Sequence, residues 1–279
     1  MKRGASNLLA GRAFVYPMFP FTSIELKNKF NLNDVLHWGS LPKIFELLSQ
    51  KDKEDYLRSY CITFLKEEVV AEQAVRNLEP FRDFLEVAAQ HSGKIINFSS
   101  IAKDVGVQTQ TVQNYFQILC DTHMGFYIPA FHRSIRKSQK ESPKFYFFDN
   151  GVKKALERSL DSKPSPSTSV YGELFEAFIV QEIFRLNQYF KLDWRMSYFQ
   201  TKNNSEVDLI LSRGRATILI EVKSYKKKNP KHINKLNKLA PDFKAKAFLI
   251  SQDEFQEKSG LTSCLHWQKF LDLMIHKKL

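Results

Sequence analysis

Apolar positions recur along the chain in two rhythms. Between residues 56 and 74 they stand at 57, 60, 61, 64, 65 and 69, the spacing of one helix face. Upstream, Gly39-Ser40-Leu41-Pro42 separates two short helices, and Pro17 and Pro20 keep the lead-in extended. Pro80 opens a further helix with Phe81, Phe84, Leu85 and Ala88 on one face. A serine cap then starts a two-turn helix that stops at Gly106. A longer helix follows over 108–119, turning Val112, Tyr115, Phe116 and Leu119 inward. The rhythm changes at 125–128 and 144–148, two aromatic, β-rich runs on either side of a basic tip, 132–140. The Pro/Ser-rich stretch 161–169 reads as a linker and the main domain boundary. Beyond it an apolar helix, 171–187, precedes alternating strands and helices.

Short helix, glycine turn, longer helix and two strands form the pattern of a winged helix-turn-helix over 80–150. In that reading Gln108, Thr109, Gln110, Gln113 and Asn114 face outward and reach base edges, while Arg133, Arg136, Lys137 and Lys140 contact phosphate. Winged helices also serve as protein–protein modules, and this stretch alone is only mildly basic. The whole chain is more decisive: 42 Lys and Arg against 30 Asp and Glu give a formal charge of +12, which favours a polyanionic partner such as DNA. Residues 185–240 hold 13 basic and 4 acidic residues, so most of that surplus lies in one segment.

Three cysteines without a CxxC disfavour a disulfide framework or a zinc site and suit a reducing cytoplasm. No apolar run approaches the length of a membrane span, so no membrane association is expected. A cytoplasmic location follows as an expectation.

Chemistry concentrates in the hairpin formed by 206–212 and 216–223 around Arg213-Gly214-Arg215. Alternation along a strand sets Glu221 and Lys223 side by side, and the hairpin brings Asp208 to the same face. Glu206 is expected on that face as well, two residues before Asp208. Carboxylates beside Ile218-Leu219-Ile220 are costly to bury unless paired or metal-bound. Two hard oxygen ligands, Asp208 and Glu221, suit Mg2+ or Mn2+, and Lys223 beside the ion can orient or deprotonate a water. Lys226, Lys227 and Lys228 follow at once and add phosphate contacts.

Asp208, Glu221 and Lys223 resemble the PD-(D/E)xK signature of the restriction-endonuclease-like superfamily. The resemblance implies an α/β core with a central mixed sheet, Mg2+-dependent DNA cleavage, and a glutamate on the preceding helix. Glu176 is the better match for that glutamate and Glu173 the second. Val207 stands where the signature has proline.

A wider resemblance runs through Lys2-Arg3-Gly4, Leu9-Ala10-Gly11-Arg12-Ala13, Gly39-Ser40-Leu41-Pro42, Phe147-Phe148-Asp149-Asn150-Gly151 and Gly172-Glu173-Leu174-Phe175-Glu176. The chain is similar to the C-terminal part of a prokaryotic AAA-type ATPase fused to an uncharacterised nuclease-like domain. That similarity implies an α/β multi-domain chain: a helical remnant of the ATPase end and lid (1–75), the winged helix (80–150) and the restriction-endonuclease-like domain (170–279). No G-x-x-x-x-G-K-[ST] loop occurs, so no ATP site is expected, and Arg12, an arginine finger or sensor in the family's setting, has no nucleotide to act on. A separate N-terminal ATPase fragment is the partner this implies. A non-catalytic module that binds DNA or protein stands as the alternative to a nuclease.

Overall fold

The computed structural model describes residues 14, 16–65, 67, 78–132, 138, 141–200, 206–225, 229–254 and 256–279. Among these the chain is α/β, with ten α-helices, a two-stranded sheet and a mixed six-stranded sheet.

The first third is helical: α1 (Ser23–Leu26), α2 (Leu32–Trp38), α3 (Gln50–Phe64) and α4 (Leu78–Gln90). Thr22 and Glu25 form a reciprocal capping box at α1, and Asn31 and Ser49 cap α2 and α3. Then come α5 (Phe98–Val105), which stops at Gly106 in the left-handed conformation, and α6 (Thr109–Asp121). The cap of α5 is Asn97, not a serine: Asn97 Oδ1 accepts from the Ser100 N–H at 3.0 Å, because the serines already lie inside the first turn. Strands β1 (Gly125–Ile128) and β2 (Lys144–Phe147) pair antiparallel. The inward side chains expected on α4 and α6 are all buried and share one core with Leu57, Cys61, Phe145 and Phe147.

After α7 (Asn150–Leu156), helix α8 (Ser169–Tyr189) runs beneath the large sheet. That sheet contains β3 (Arg195–Gln200), β4 (Glu206–Arg213), β5 (Ala216–Val222), β6 (Lys246–Ser251), β7 (Glu257–Ser259) and β8 (Thr262–His266), in the order β3-β4-β5-β6-β8-β7. Pairs β3–β4, β4–β5 and β7–β8 are antiparallel, and β5–β6 and β6–β8 are parallel. One face packs on α8 and α10 (Trp267–Ile275), the other on α9 (Pro230–Phe243). Leu26, Val35 and Leu36 from α1 and α2 enter the core shared with α8, so the N-terminal helices pack on both sides of the 161–169 stretch.

A buried polar joint fixes that packing. Arg185, fully buried on α8, donates to the Phe21 carbonyl, the Ser40 hydroxyl and the Phe148 carbonyl at 3.2, 3.0 and 2.6 Å. Asp149 caps α7 and accepts from the Ser40 N–H at 2.7 Å. Gly39 lies against it with φ +74° and ψ −163°, a conformation that only glycine adopts readily. A Cβ there would fall 1.9 Å from Asp149 Oδ1, and one on Gly151 2.1 Å from the Trp38 carbonyl oxygen. Two of the segments that carry the wider resemblance, 39–42 and 147–151, thus meet in one contact.

Candidate active site

The site forms where β4, β5, α8, α9 and β2 converge. Register along β4–β5 pairs Leu209 with Ile220, so the next step sets Asp208 opposite Glu221. Lys223, just past the end of β5, lies 3.2 Å from Asp208 Oδ2 and 3.0 Å from Glu221 Oε1. The three residues of the motif therefore come together as expected. Asp208 Oδ2 also accepts from the Val222 N–H at 2.7 Å, which holds its carboxylate against the end of the strand.

Glu206 takes a different partner from Asp208, although the charge of Lys144 acts on both. Between Ser197 and Phe199 the β3–β4 register shifts: Ile210 opposes Ser197 while Val207 opposes Phe199, so β4 carries one extra residue. Val207 and Ile210 accordingly point into the same core. This bulge breaks simple alternation. The carboxylate of Glu206 turns toward Lys144, with Nζ to Oε1 at 2.5 Å, and not toward Lys223.

Glu176 joins from α8. Its Oε1 accepts from the Tyr146 hydroxyl at 2.9 Å and stands 3.5 Å from Lys144 Nζ. Glu173 lines the cleft outside, an opening of about 440 Å3 that also touches Gly93, Lys94, Lys144, Gln200 and Glu206. Four residues that sequence reasoning missed complete the cluster. Lys144 and Tyr146 come from β2. His232 Nδ1 and Lys235 Nζ, on α9, reach Glu221 at 3.1 and 2.6 Å. Their three-residue spacing on a helix just after the motif was a readable signal; the position of Lys144 was not.

Electrostatics divide the two motif carboxylates. Burial, then the charges of Glu176 and Glu221, push Asp208 up to about 7 against the pull of Lys223 and Lys144. Burial would raise Glu221 too, but the bond from His232 and the charges of Lys223 and Lys235 outweigh it and hold Glu221 low. Burial disfavours the Lys223 ammonium, yet Asp208 and Glu221 together raise it above the usual lysine range. Lys223 is thus held as a cation.

Among the described residues no group of three or more His, Cys, Asp or Glu side chains is placed to hold a metal by itself. The donor chemistry of Asp208 and Glu221 nevertheless fits a hard divalent cation: their oxygens already converge on one cationic atom, and Asp208 is raised by burial first and then by the neighbouring charges of Glu176 and Glu221.

On α6, Gln110, Gln113 and Asn114 are exposed, with Gln110 Nε2 donating to Asn114 Oδ1 at 3.2 Å. Gln108 and Thr109 are exposed at the start of the same helix. Arg133, Arg136, Lys137, Lys140, Lys226, Lys227, Lys228 and Arg12 lie outside the described residues. No helix among the described residues is long and apolar enough to cross a membrane.

Residues 29–163 match a domain of unknown function, DUF8612, and residues 171–270 match another, DUF4143, which is found in AAA-ATPase-associated C-terminal regions. The chain is similar to an uncharacterized protein of Mycobacterium bovis and to one of Mycobacterium tuberculosis, each 25 % identical over 208 residues that make up 74 % of this chain. It spans about half the length of these curated relatives, the match covering 45 % of each.

Proposed function

We propose that this chain binds DNA and cleaves its phosphodiester backbone with Mg2+ or Mn2+, using a nuclease-like α/β domain next to a winged helix. The observation that carries the reading is the convergence of Asp208 and Glu221 on Lys223, at 3.2 and 3.0 Å, with Glu176 close behind. Asp208 and Glu221 would hold the ion, which supplies charge neutralisation at the scissile phosphate when bound. Lys223, kept protonated by its two carboxylates, orients the attacking water and offsets developing negative charge; it is a poor proton acceptor in this arrangement. Glu176, held by Tyr146 and Lys144, supports the water that Lys223 orients. The exposed amides of α6, with the basic residues of the tip and of 226–228, grip the nucleic acid.

Calorimetric titration of Mg2+ and Mn2+ into wild type and the Asp208→Ala/Glu221→Ala variant tests the site, followed by a screen of DNA substrates. Binding that disappears in the double variant is expected, and Asp208→Ala alone abolishes cleavage while DNA affinity stays within a few-fold. Equal loss of DNA binding would overturn the division of roles.

The same ion pairs favour a second reading. Glu176, Glu206, Asp208 and Glu221 are all engaged by ammonium groups within the chain, as a non-catalytic binding module would have them. Absence of cation binding in wild type, with DNA present, would select it. On either reading a separate ATPase fragment is the proposed protein partner, and co-purification tests it.

A further inference from the structure

All four residues of β2 are buried, and they divide between two environments. Phe145 and Phe147 enter the helical core, whereas Tyr146 enters the core shared with α8, and alternation places Lys144 on the Tyr146 side. Lys144 is only 3 % exposed, and burying an ammonium is costly unless it is paired. Packing alone does not call for lysine here, since an apolar side chain of similar volume would avoid the desolvation cost. What lysine does is bind two carboxylates from different elements: Glu206 of β4 at 2.5 Å and Glu176 of α8 at 3.5 Å. Tyr146 donates to the same oxygen of Glu176.

We propose that Lys144, with Tyr146, is a positioning residue of the cation site: it fixes Glu176 beside Asp208, and so makes the site composite, built jointly by the β1–β2 hairpin and the large sheet. The proposal rests on Asp208 and Glu221 forming that site. Lys144 is hydrogen-bonded to neither ligand; beyond the pull of its charge on Asp208, it acts through Glu176.

The test separates position from charge. Lys144→Met alone adds net negative charge, so it is compared with the charge-neutral pair Lys144→Met/Glu206→Gln, with Glu206→Gln alone and with Lys144→Arg. Each is melted without metal and titrated with Mn2+ in a calorimeter. Glu206→Gln keeps an acceptor for Lys144 and is expected to bind Mn2+ like wild type. The charge-neutral pair is expected to regain most of the melting temperature lost in Lys144→Met, yet to bind Mn2+ about 10- to 100-fold more weakly, as for other supporting residues around a metal. Lys144→Arg, which can still bridge two carboxylates, restores part of the affinity. Wild-type affinity in the charge-neutral pair would overturn the proposal and leave Lys144 as a charge partner only. A wild type that binds no Mn2+ overturns the cation site itself, and the positioning role with it.

Discussion

Replacing Gly39 with alanine is expected to be far more damaging than the same change at Gly106, although both glycines have positive φ. At Gly106 the backbone is left-handed (φ +71°, ψ 33°) and nothing lies within 4 Å of an added Cβ. Only the left-handed penalty applies there, about 1 kcal/mol. At Gly39 the backbone lies in a region that costs other residues about 1–3 kcal/mol. The new Cβ would also sit 1.9 and 2.5 Å from the two oxygens of Asp149. Asp149 must then move, which breaks its cap on α7, worth about 1 kcal/mol. It also leaves the Ser40 N–H without its charged acceptor in a buried setting, a further loss of about 1–3 kcal/mol. The sum is about 3–7 kcal/mol, which approaches the whole stability of a typical domain. Urea unfolding followed by circular dichroism reads both variants. A Gly39→Ala midpoint close to that of Gly106→Ala, with an unchanged slope, would refute the contact as the cause.

Arg185→Met leaves Glu182 and Asp149 buried without their shared cation, and should cost about 3–5 kcal/mol in the same assay. His37 is buried, and burial first, then the charges of Lys154 and Lys163, lower it to about 4, so the fold holds a neutral imidazole while the unfolded chain titrates near 6.5. Stability is therefore full above pH 6.5 and falls as the pH drops toward 4, by about 2 kcal/mol once partial relaxation toward solvent is allowed. His37→Leu should flatten that part of the profile, and an unchanged slope would discount the histidine. A fragment of residues 170–279 lacks Leu26, Val35, Leu36 and Lys144, and should show no cooperative melt; a sharp transition would mark it as an independent unit.

The motif was legible because strand alternation and a two-strand hairpin are local rules, and they suffice to gather Asp208, Glu221 and Lys223. The partner of Glu206 was not legible because Lys144 lies on a distant strand, and the bulge opposite Tyr198 depends on how β3 lies along β4, a pairing that no local pattern records. The inward faces of α4 and α6 were legible from spacing alone. The cap of α5 is less legible, because Ser99 and Ser100 offer capping chemistry similar to that of Asn97 two and three residues later. Lys144 sits in an aromatic strand whose sequence suggests plain hydrophobic packing, and its partners are 32 and 62 residues away. The packing of α1 and α2 against α8 escaped notice because helices of 4 and 7 residues carry too little periodicity to name a partner.

Polar contacts at two points along α8 explain why the site can be precise. Apolar ridges allow a helix to slide or rotate with small energetic consequence, whereas a buried charge must meet particular partners. Near its C-terminal end α8 is pinned by Glu182, which accepts from the Ser23 N–H at 2.9 Å, and by Arg185, which reaches Phe21, Ser40 and Phe148. In its middle it is pinned by Glu176 to Tyr146 and Lys144. Both sets of partners come from before the 161–169 stretch, so that stretch divides the sequence without dividing the packing. The axial position of α8, and hence the place of Glu176 relative to Asp208, is set by residues of the N-terminal helices and the hairpin. A load on the β1–β2 hairpin is therefore transmitted to Glu176 through Lys144 and Tyr146, whereas Glu221 takes its own bonds from His232 and Lys235 of α9.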